Sequence, residues 1–441
     1  MIEIAEERKK RAGILASVLI IILIFVFIIY DIQIKDANIF WGLKQIITSQ
    51  AVLITDFFVI GGVGASFLNA SLIFLFNFTL VKLFGIKING LVIASFFTVF
   101  GFSFFGKNIL NILPFYLGGI LYSIFDQLDF KDVFLPISFA SALAPFVSEV
   151  AFTVDTHDTS YINALILGVI IGFIVTPLSK KMMDFHKGFN LYNLGFTAGI
   201  LGAVITSILR LYKFNITPRS IISSEYDVFL RVICSFLFII LIIIGFYINN
   251  NSFKGFRNLL KDSGLKADYV EKYGLGLSLI NMGIMGFVGI LYVYTCGMTL
   301  NGPFLAGIFT IVGFSAYGKH FINTIPILLG VLLGKFGTNT SDFTIILSGL
   351  FGTALAPIAG VYGIHWGIIA GWLHIAVVQS TGIIHGGLNL YNNGFSAGIV
   401  AGFLLPIMDT TKTHFEKSRD RYLESRKELY DALKDVRSNK K

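Results

Sequence analysis

The chain has 441 residues, of which 55% are hydrophobic and only 14% are charged. Soluble domains carry roughly 25% charged residues, so this composition excludes an ordinary soluble protein and indicates a polytopic membrane protein. The formal net charge of +8 is carried largely by the N-terminus, a few loops and the C-terminal tail. This distribution is typical of a membrane protein anchored by basic loops, so we expect the lipid bilayer, not nucleic acid, as its partner.

Apolar segments follow one another along the chain at lengths that suit a hydrocarbon core of about 30 Å. In the first half they lie at 12–30, 52–81, 89–106, 109–126, 133–151, 161–178 and 189–207. In the second half they lie at 226–248, 274–296, 299–316, 321–336, 341–360, 362–378 and 386–407. Glycines at 61, 62 and 64 interrupt the second segment, and Pro145 and Pro357 interrupt the fifth segment of each half. We therefore predict an all-α fold with about 12–14 membrane segments, some of them broken or re-entrant.

The two halves of the chain repeat each other. Asn89-Gly90 matches Asn301-Gly302 at a shift of 212 residues (302 − 90). The same shift carries the Ala-Leu-Ala-Pro stretch at 142–145 onto the one at 354–357. Such a persistent match predicts two homologous halves, as in transporters built from internal repeats.

The most polar repeated stretch is a signature that occurs once in each half. Residues 186–199 read HKGFNLYNLGFTAG and residues 385–398 read HGGLNLYNNGFSAG, a shift of 199 residues (385 − 186). Each copy follows one apolar segment and runs into another. Amide-rich, glycine-punctuated backbone is thus placed twice at the edge of, or inside, a hydrophobic layer, which is the main functional clue in the sequence.

Lysine and arginine are concentrated in the linker 249–273, which we place in the cytoplasm together with both termini. Its first-half equivalent, 37–61, holds only Lys44, and the lysines that flank the first signature have no counterpart before His385. This asymmetry would arise if equivalent loops faced opposite sides of the bilayer. We therefore predict inverted repeats in a multi-pass protein of the cytoplasmic membrane.

These boundaries divide the chain into a cytoplasmic N-terminus, two membrane repeats and a tail, at 1–11, 12–225, 226–410 and 411–441. The tail is basic and free of Gly and Pro, and apolar residues recur in it at sevens from Phe415 to Val436. A helix on the membrane surface or on the cytoplasmic face of the protein is our first interpretation. A coiled-coil contact between protomers is the alternative, which leaves a homo-oligomer open.

The paired signatures and the paired Ala-Leu-Ala-Pro stretches resemble those of a family of duplicated bacterial polytopic membrane proteins of unknown function. The resemblance covers nearly the whole chain except the tail, and it implies an inner-membrane protein without implying an activity. A much weaker likeness, in a Gly-x-Asn-x-x-x-x-Gly pattern within a duplicated frame, links the chain to urea transporters. The half-helices of urea transporters begin near a similar Gly-aromatic-Asn stretch.

The signatures supply the candidate substrate-binding residues, which are Asn190, Tyr192, Asn193, Asn389, Tyr391, Asn392 and Asn393. Asn side chains and Tyr hydroxyls both donate and accept hydrogen bonds, and glycine lets the backbone approach a ligand closely. In inverted-repeat transporters, broken helices meet at the membrane midplane and present free N–H groups to the substrate. The alternative is that these amides bond across helices and the glycines permit tight packing.

The titratable candidates lie at or near apolar segments. His186 and His385 precede the signatures and are candidates for gating or proton relay; the alternative is an interfacial histidine bonded to a carbonyl. Asp56, its repeat partner Asp268 and the unpaired Glu149 are candidate ion-coupling residues, because acids within a membrane are costly. For the aspartate pair, the alternative is an acid at a helix start, where the helix dipole favours it.

Sequence motifs limit the possible activities. No Walker loop, HExxH motif or Ser-His-Asp order occurs, so we expect no cofactor, no metal and no ATP-driven transport. The leading hypothesis is a secondary transporter or channel for a small polar solute, neutral or anionic, because the signatures carry no acid and their glycine breaks would aim helix N-termini inward. The alternatives are an intramembrane enzyme on a lipid-linked substrate, with His186 or His385 as acid or base, and a structural or scaffold membrane protein.

Overall fold

The computed structural model describes residues 38–152, 159–214, 216 and 218–414. Within them, nine helices are long and apolar enough to cross a membrane, and four further apolar helices are only 13 residues long. Nine plus four gives thirteen membrane segments, which confirms the all-α polytopic fold. The predicted first segment at 12–30 and the tail from residue 415 lie outside the described residues.

The helices of the first half are α1 Ile39–Thr48, α2 Phe57–Leu83, α3 Gly90–Phe102, α4 Leu113–Phe125, α5 Phe130–Ala140, α6 Ala144–Phe152, α7 Thr159–His186 and α8 Asn193–Leu211. Those of the second half are α9 Asp227–Ile248, α10 Phe256–Leu259, α11 Tyr269–Tyr273, α12 Leu275–Thr295, α13 Gly302–Phe314, α14 Phe321–Leu333, α15 Asp342–Gly352, α16 Ala356–Tyr362, α17 Ile364–His385 and α18 Asn392–His414. One 3-10 turn joins α5 to α6 and another joins α15 to α16.

Glycine interrupts the helix at equivalent places of the two halves. Gly62 lies inside α2 with φ +80°, and its equivalent Gly274 separates α11 from α12 with φ +88°. Residues with a side chain rarely adopt this conformation, so glycine is required at both positions. The interruption predicted from the glycines at 61–64 is confirmed.

The short helices α3 and α4 form a re-entrant hairpin. Asn69, near the middle of α2, donates to the carbonyl oxygens of Ser103 and Lys107 at 2.9 Å each, so the break between α3 and α4 lies level with the middle of α2. Phe84 lies just after α2, and Phe130 lies just after α4, at the start of α5. Their ring centroids are 4.2 Å apart, so the end of α4 lies beside the end of α2. Helices of 13 residues are about 20 Å long, so the pair enters to mid-depth and leaves on the same side.

The second half builds an equivalent hairpin from α13 and α14. Asn281 of α12 donates to the carbonyl oxygens of Ser315 and Lys319 at 2.8 and 2.7 Å. These three residues are the 212-shifted equivalents of those that hold the first hairpin tip. The segments predicted at 89–106 and 109–126, and their equivalents, are therefore hairpin arms and not full crossings.

The packing of α3 against α13 shows that the repeats are inverted. A Cβ at Gly101 of α3 would lie 2.9 Å from the Ala306 Cα, and a Cβ at Gly313 would lie 3.0 Å from the Ala94 Cα. The C-terminal half of each helix thus packs against the N-terminal half of the other, so the two equivalent helices run antiparallel. Equivalent membrane helices that run antiparallel are related by a two-fold axis in the plane of the bilayer.

The signature helices α8 and α18 meet at this pseudo-two-fold axis. A Cβ at Gly195 would lie 3.2 Å from the Gly394 Cα, and the reverse distance is 3.0 Å. Phe196 and Phe395 stack beside them at 5.9 Å between centroids. Only small residues allow so close an approach, so the paired glycines bring the two signatures into contact.

Candidate functional site

A cavity of about 120 Å³ lies on the pseudo-two-fold axis, between the signatures and the hairpins. Its wall includes five pairs of repeat-equivalent residues, which are Thr98 and Thr310, Phe102 and Phe314, Phe139 and Phe351, Tyr192 and Tyr391, and Gly195 and Gly394. The lining is mostly apolar, with seven aromatic side chains and a few polar groups at fixed places. This combination is typical of a site for a small ligand.

The cavity extends from the axis toward one side of the molecule. On that side Leu91, Met183, Gly188, Tyr317 and Lys266 line it, and Lys266 is exposed at the surface of the linker 249–273. The equivalent region of the other half is covered. There the Leu53 N–H donates to the Gly387 carbonyl at 2.8 Å, and the Arg219 N–H donates to the Leu53 carbonyl at 3.2 Å.

Two buried lysines stand behind the cavity tyrosines. Lys107 at the tip of the first hairpin donates to the Tyr391 hydroxyl at 2.8 Å, and Lys319 at the tip of the second donates to the Tyr192 hydroxyl at 2.5 Å. Lys319 also donates to the Thr353 hydroxyl at 2.6 Å. Each hairpin therefore reaches the signature of the opposite repeat, and both lysine side chains are fully buried.

The backbone of each signature is also bound by the opposite repeat. The Leu191 N–H donates to the Ala354 carbonyl at 2.9 Å, and the Leu390 N–H donates to the Ala142 carbonyl at 3.0 Å. Buried N–H groups outside a helix need an acceptor, and the broken Ala-Leu-Ala-Pro segments supply one. The two repeated motifs singled out in the sequence are thus partners of each other, across the axis.

Asn190 and Asn389 are equivalent signature residues that bond alike through Oδ1 and differently through Nδ2. Their Oδ1 atoms accept from the N–H groups of Tyr192 and Tyr391, each at 2.9 Å. Asn190 Nδ2 also donates across the axis to the Gly394 carbonyl at 3.0 Å, whereas Asn389 Nδ2 is buried without a partner among the described residues. Asn190 lines the cavity and Asn389 does not.

The remaining signature amides separate into two groups. Asn193 and Asn393 line the cavity, where Asn193 Oδ1 lies 3.1 Å from His186 Nε2 and Asn393 Oδ1 lies 3.1 Å from His374 Nε2. Asn392 starts α18 beside the cavity wall and does not line it. Five of the seven predicted substrate-binding side chains therefore face one cavity, including both tyrosines.

The two histidines hold the signatures in place and do not line the cavity. His186 Nδ1 accepts from the N–H groups of Gly188 and Asn190 at 3.3 and 3.4 Å. His385 Nε2 lies 2.8 Å from the carbonyl oxygen of Gly199 in the opposite repeat. These contacts with backbone groups resemble those of a structural histidine bonded to a carbonyl, which was the alternative to gating or proton relay.

Asp56 and Asp268 cap helices across the repeat boundary. Asp56 accepts from the N–H groups of Phe58, Ser223 and Gly302, the last at the start of α13. Asp268 accepts from the Gly90 N–H at the start of α3 at 2.8 Å, and from two N–H groups of its own α11. These contacts match the alternative role of an acid at a helix start, favoured by the helix dipole.

Glu149 lies apart from the cavity. It is buried in α6, 2% exposed, beside Ser148, whose hydroxyl accepts from Asn111 Nδ2 at 2.9 Å. It does not line the cavity. In the described part of the chain, no group of three His, Cys, Asp or Glu side chains could hold a metal ion.

The lysine pair was not among the residues predicted from the sequence. The 212-residue shift pairs Lys107 with Lys319, but in the sequence a lysine between two apolar segments looks like a residue of a surface loop. The structure differs from this expectation because the hairpin ends at mid-depth and so buries the residue between its two apolar arms. A repeated charge next to a repeated Gly, as in Gly106-Lys107 and Gly318-Lys319, was the available signal.

Comparison with known proteins gives one match. The model of a family described as "Protein of unknown function (DUF1576)" matches residues 35–211 and 248–410, once in each half. The two matched regions together cover well over half of the chain and agree with the duplication. No curated protein and no solved structure matches the chain.

Proposed function

This chain belongs to the DUF1576 family, and we propose that it is a secondary transporter or channel for a small polar solute, neutral or anionic. The observation that supports this proposal is the position of the cavity. It lies on the axis that relates two inverted repeats, and equivalent residues of both repeats face it. Transporters of this architecture bind their solute at such an interface near the bilayer midplane.

The departures from symmetry favour a transporter that alternates between two states over an open channel. The bond from Asn190 to Gly394 has no formed counterpart at Asn389. The Leu53 N–H donates to the Gly387 carbonyl of the opposite repeat, whereas the equivalent Leu265 N–H donates to Ser263 Oγ nearby in the chain. An exchange of these contacts between the halves would close the linker side and open the other.

The alternatives have less support from the contacts. The enzyme hypothesis assigned the acid or base to His186 or His385, and both histidines lie outside the cavity wall with their ring nitrogens facing neighbouring groups. A purely structural protein gives no reason for a cavity lined by equivalent residues of both repeats. Transport therefore accounts for more of the observed arrangement.

The test is solute uptake into proteoliposomes, with a panel of small neutral and anionic solutes. Leu135 lines the cavity, whereas Leu121 of α4 is 44% exposed and does not line it, so Leu121 serves as the control position. In a background with Cys234 and Cys296 replaced by Ala, a bulky thiol reagent should abolish uptake by Leu135→Cys and leave Leu121→Cys active. Absence of uptake for every solute, or equal block of both variants, would refute the proposal.

A further inference from the structure

Lys107 and Lys319 are equivalent residues of the two repeats, and both are fully buried. Their partners are neutral hydroxyls, those of Tyr391, Tyr192 and Thr353. Among the described residues, neither ammonium lies within 4.0 Å of a carboxylate. The centre of the membrane region thus holds two lysines without an acidic partner at contact distance.

Burying a charge away from water is costly unless an opposite charge or a set of hydrogen bonds compensates it. Aromatic rings compensate part of the charge here. Lys107 Nζ lies 4.8 Å from the Tyr391 ring centroid, and Lys319 Nζ lies 4.3 Å from that of Tyr192. Neutral hydroxyls and rings do not supply a full negative charge, so the two lysines leave the site electrostatically incomplete.

The lysine contacts also fix the polarity of the tyrosine hydroxyls. A protonated lysine can only donate, so in that state each tyrosine oxygen accepts from its lysine and keeps its own hydrogen to donate. Both tyrosines line the cavity from opposite sides of the axis. Hydroxyl groups polarised by a cation are strong donors, and they favour an acceptor with negative charge.

The rest of the cavity wall also favours a negatively charged ligand. The N-terminal turns of α8 and α18 reach the cavity at Leu194, Gly195, Asn393 and Gly394, and helix N-termini carry partial positive charge. Among the described residues, Lys266 is the only ionisable side chain in the wall besides the tyrosines, and no described Asp or Glu lines the cavity. Besides the tyrosines themselves, every ionisable side chain in the described structure that lines the cavity or bonds to Tyr192 or Tyr391 is therefore a lysine.

We propose that the cavity binds a small anion, and that Lys107 and Lys319 balance its charge through Tyr391 and Tyr192. This inference rests on the proposed function, because it assigns the substrate class to the same cavity. The four phenylalanines and a volume of about 120 Å³ favour a small ligand, such as an inorganic oxyanion or a short carboxylate. The ligand accepts one hydrogen bond from each tyrosine, across the pseudo-two-fold axis.

The test combines binding and transport on the purified full chain. Sodium salts of nitrate, phosphate, sulfate, formate and acetate, with urea and glycerol as neutral probes, are titrated by calorimetry and by thermal stability in detergent. We expect at least one anion to bind, and Lys107→Met, Lys319→Met and Tyr391→Phe each to weaken its binding by tenfold or more. Lys82→Met, which removes an exposed lysine at the end of α2, should leave the affinity unchanged.

Folding does not confound this test. Replacing a buried charge by an apolar side chain of similar length is often neutral or stabilising, and Tyr391→Phe keeps the ring and its packing. Anion affinity that is unchanged in all three variants, or binding of urea or glycerol without any anion, would overturn the inference.

The same panel in proteoliposomes separates the two proposals. Uptake of a neutral solute without anion binding would leave transport standing and refute the anion site. Anion binding that needs both lysines, without flux of any solute, would support the site and refute transport. Flux of the bound anion, lost in the lysine variants, is the result we expect.

Discussion

Lys107 Nζ lies 2.8 Å from the hydroxyl of Tyr391, although 284 residues separate the two along the chain. The equivalent contact joins Lys319 to Tyr192 in the opposite sense. The same crossing occurs in the backbone bond from Leu390 to Ala142 and in its counterpart. Each repeat completes the signature of the other, so neither half can form its part of the cavity alone.

The first prediction concerns this crossed pairing. A double-mutant cycle of Lys107→Met with Tyr391→Phe should give a coupling free energy of about 0.5–3 kcal/mol, because the residues are in contact. The matched cycle of Lys319→Met with Tyr391→Phe should give a value near zero. Both cycles are measured by unfolding in detergent. Equal coupling in the two cycles would contradict the crossed geometry.

The second prediction concerns the asymmetric asparagines. Asn190→Ala should lower the free energy of unfolding by about 0.6–2 kcal/mol, as loss of an interhelical hydrogen bond in a membrane does. Asn389→Ala should cost less, because its Nδ2 has no partner among the described residues in this state. If the bond passes from one half to the other during transport, both variants should slow uptake to a similar extent. A stability loss at Asn190 without any change in uptake would assign the pair to packing alone.

The third prediction separates a capping role from ion coupling at Asp56 and Asp268. Asp56→Ala would leave three buried N–H groups without their acceptor, and each such group costs about 1–3 kcal/mol. Asp56→Asn keeps an acceptor oxygen and should be milder. Asp268→Ala should cost less than Asp56→Ala, because Asp268 is only partly buried whereas Asp56 is fully buried. Thermal unfolding measures all three. A variant with normal stability and altered cation dependence of uptake would instead indicate a coupling site.

The fourth prediction is topological. Single cysteines at exposed Lys254 in the linker and at exposed Lys187 after α7 should react from the cytoplasmic face. A cysteine at exposed Ser380, near the end of α17, should react from the opposite face. A membrane-impermeant thiol reagent, applied to intact cells and to inverted vesicles, distinguishes the two. Labelling of Lys187→Cys and Ser380→Cys from one face would contradict the inverted arrangement.

The sequence by itself determined the membrane class, the duplication and the two signatures. Hydropathy reports burial in lipid directly, and the repeat could be read from identities such as Asn89-Gly90 with Asn301-Gly302. Positive-inside asymmetry also predicted the inversion that the antiparallel packing of α3 and α13 displays. Five of the seven candidate amides and tyrosines line the central cavity. Polar residues repeated within an apolar frame need hydrogen-bond partners, which brings them together.

Only the tertiary structure decided which residues are partners. The apolar segment 89–106 fits a re-entrant arm or a full crossing equally well, and the contact of Asn69 with the hairpin tip shows that it is a re-entrant arm. The depth of the hairpin tip also decides the environment of Lys107, which is buried there and does not lie in a surface loop. The pairing across the axis, lysine to tyrosine and aspartate to helix start, depends on how two inverted halves interlock. No spacing along the chain records it, because the contacts join residues from different repeats.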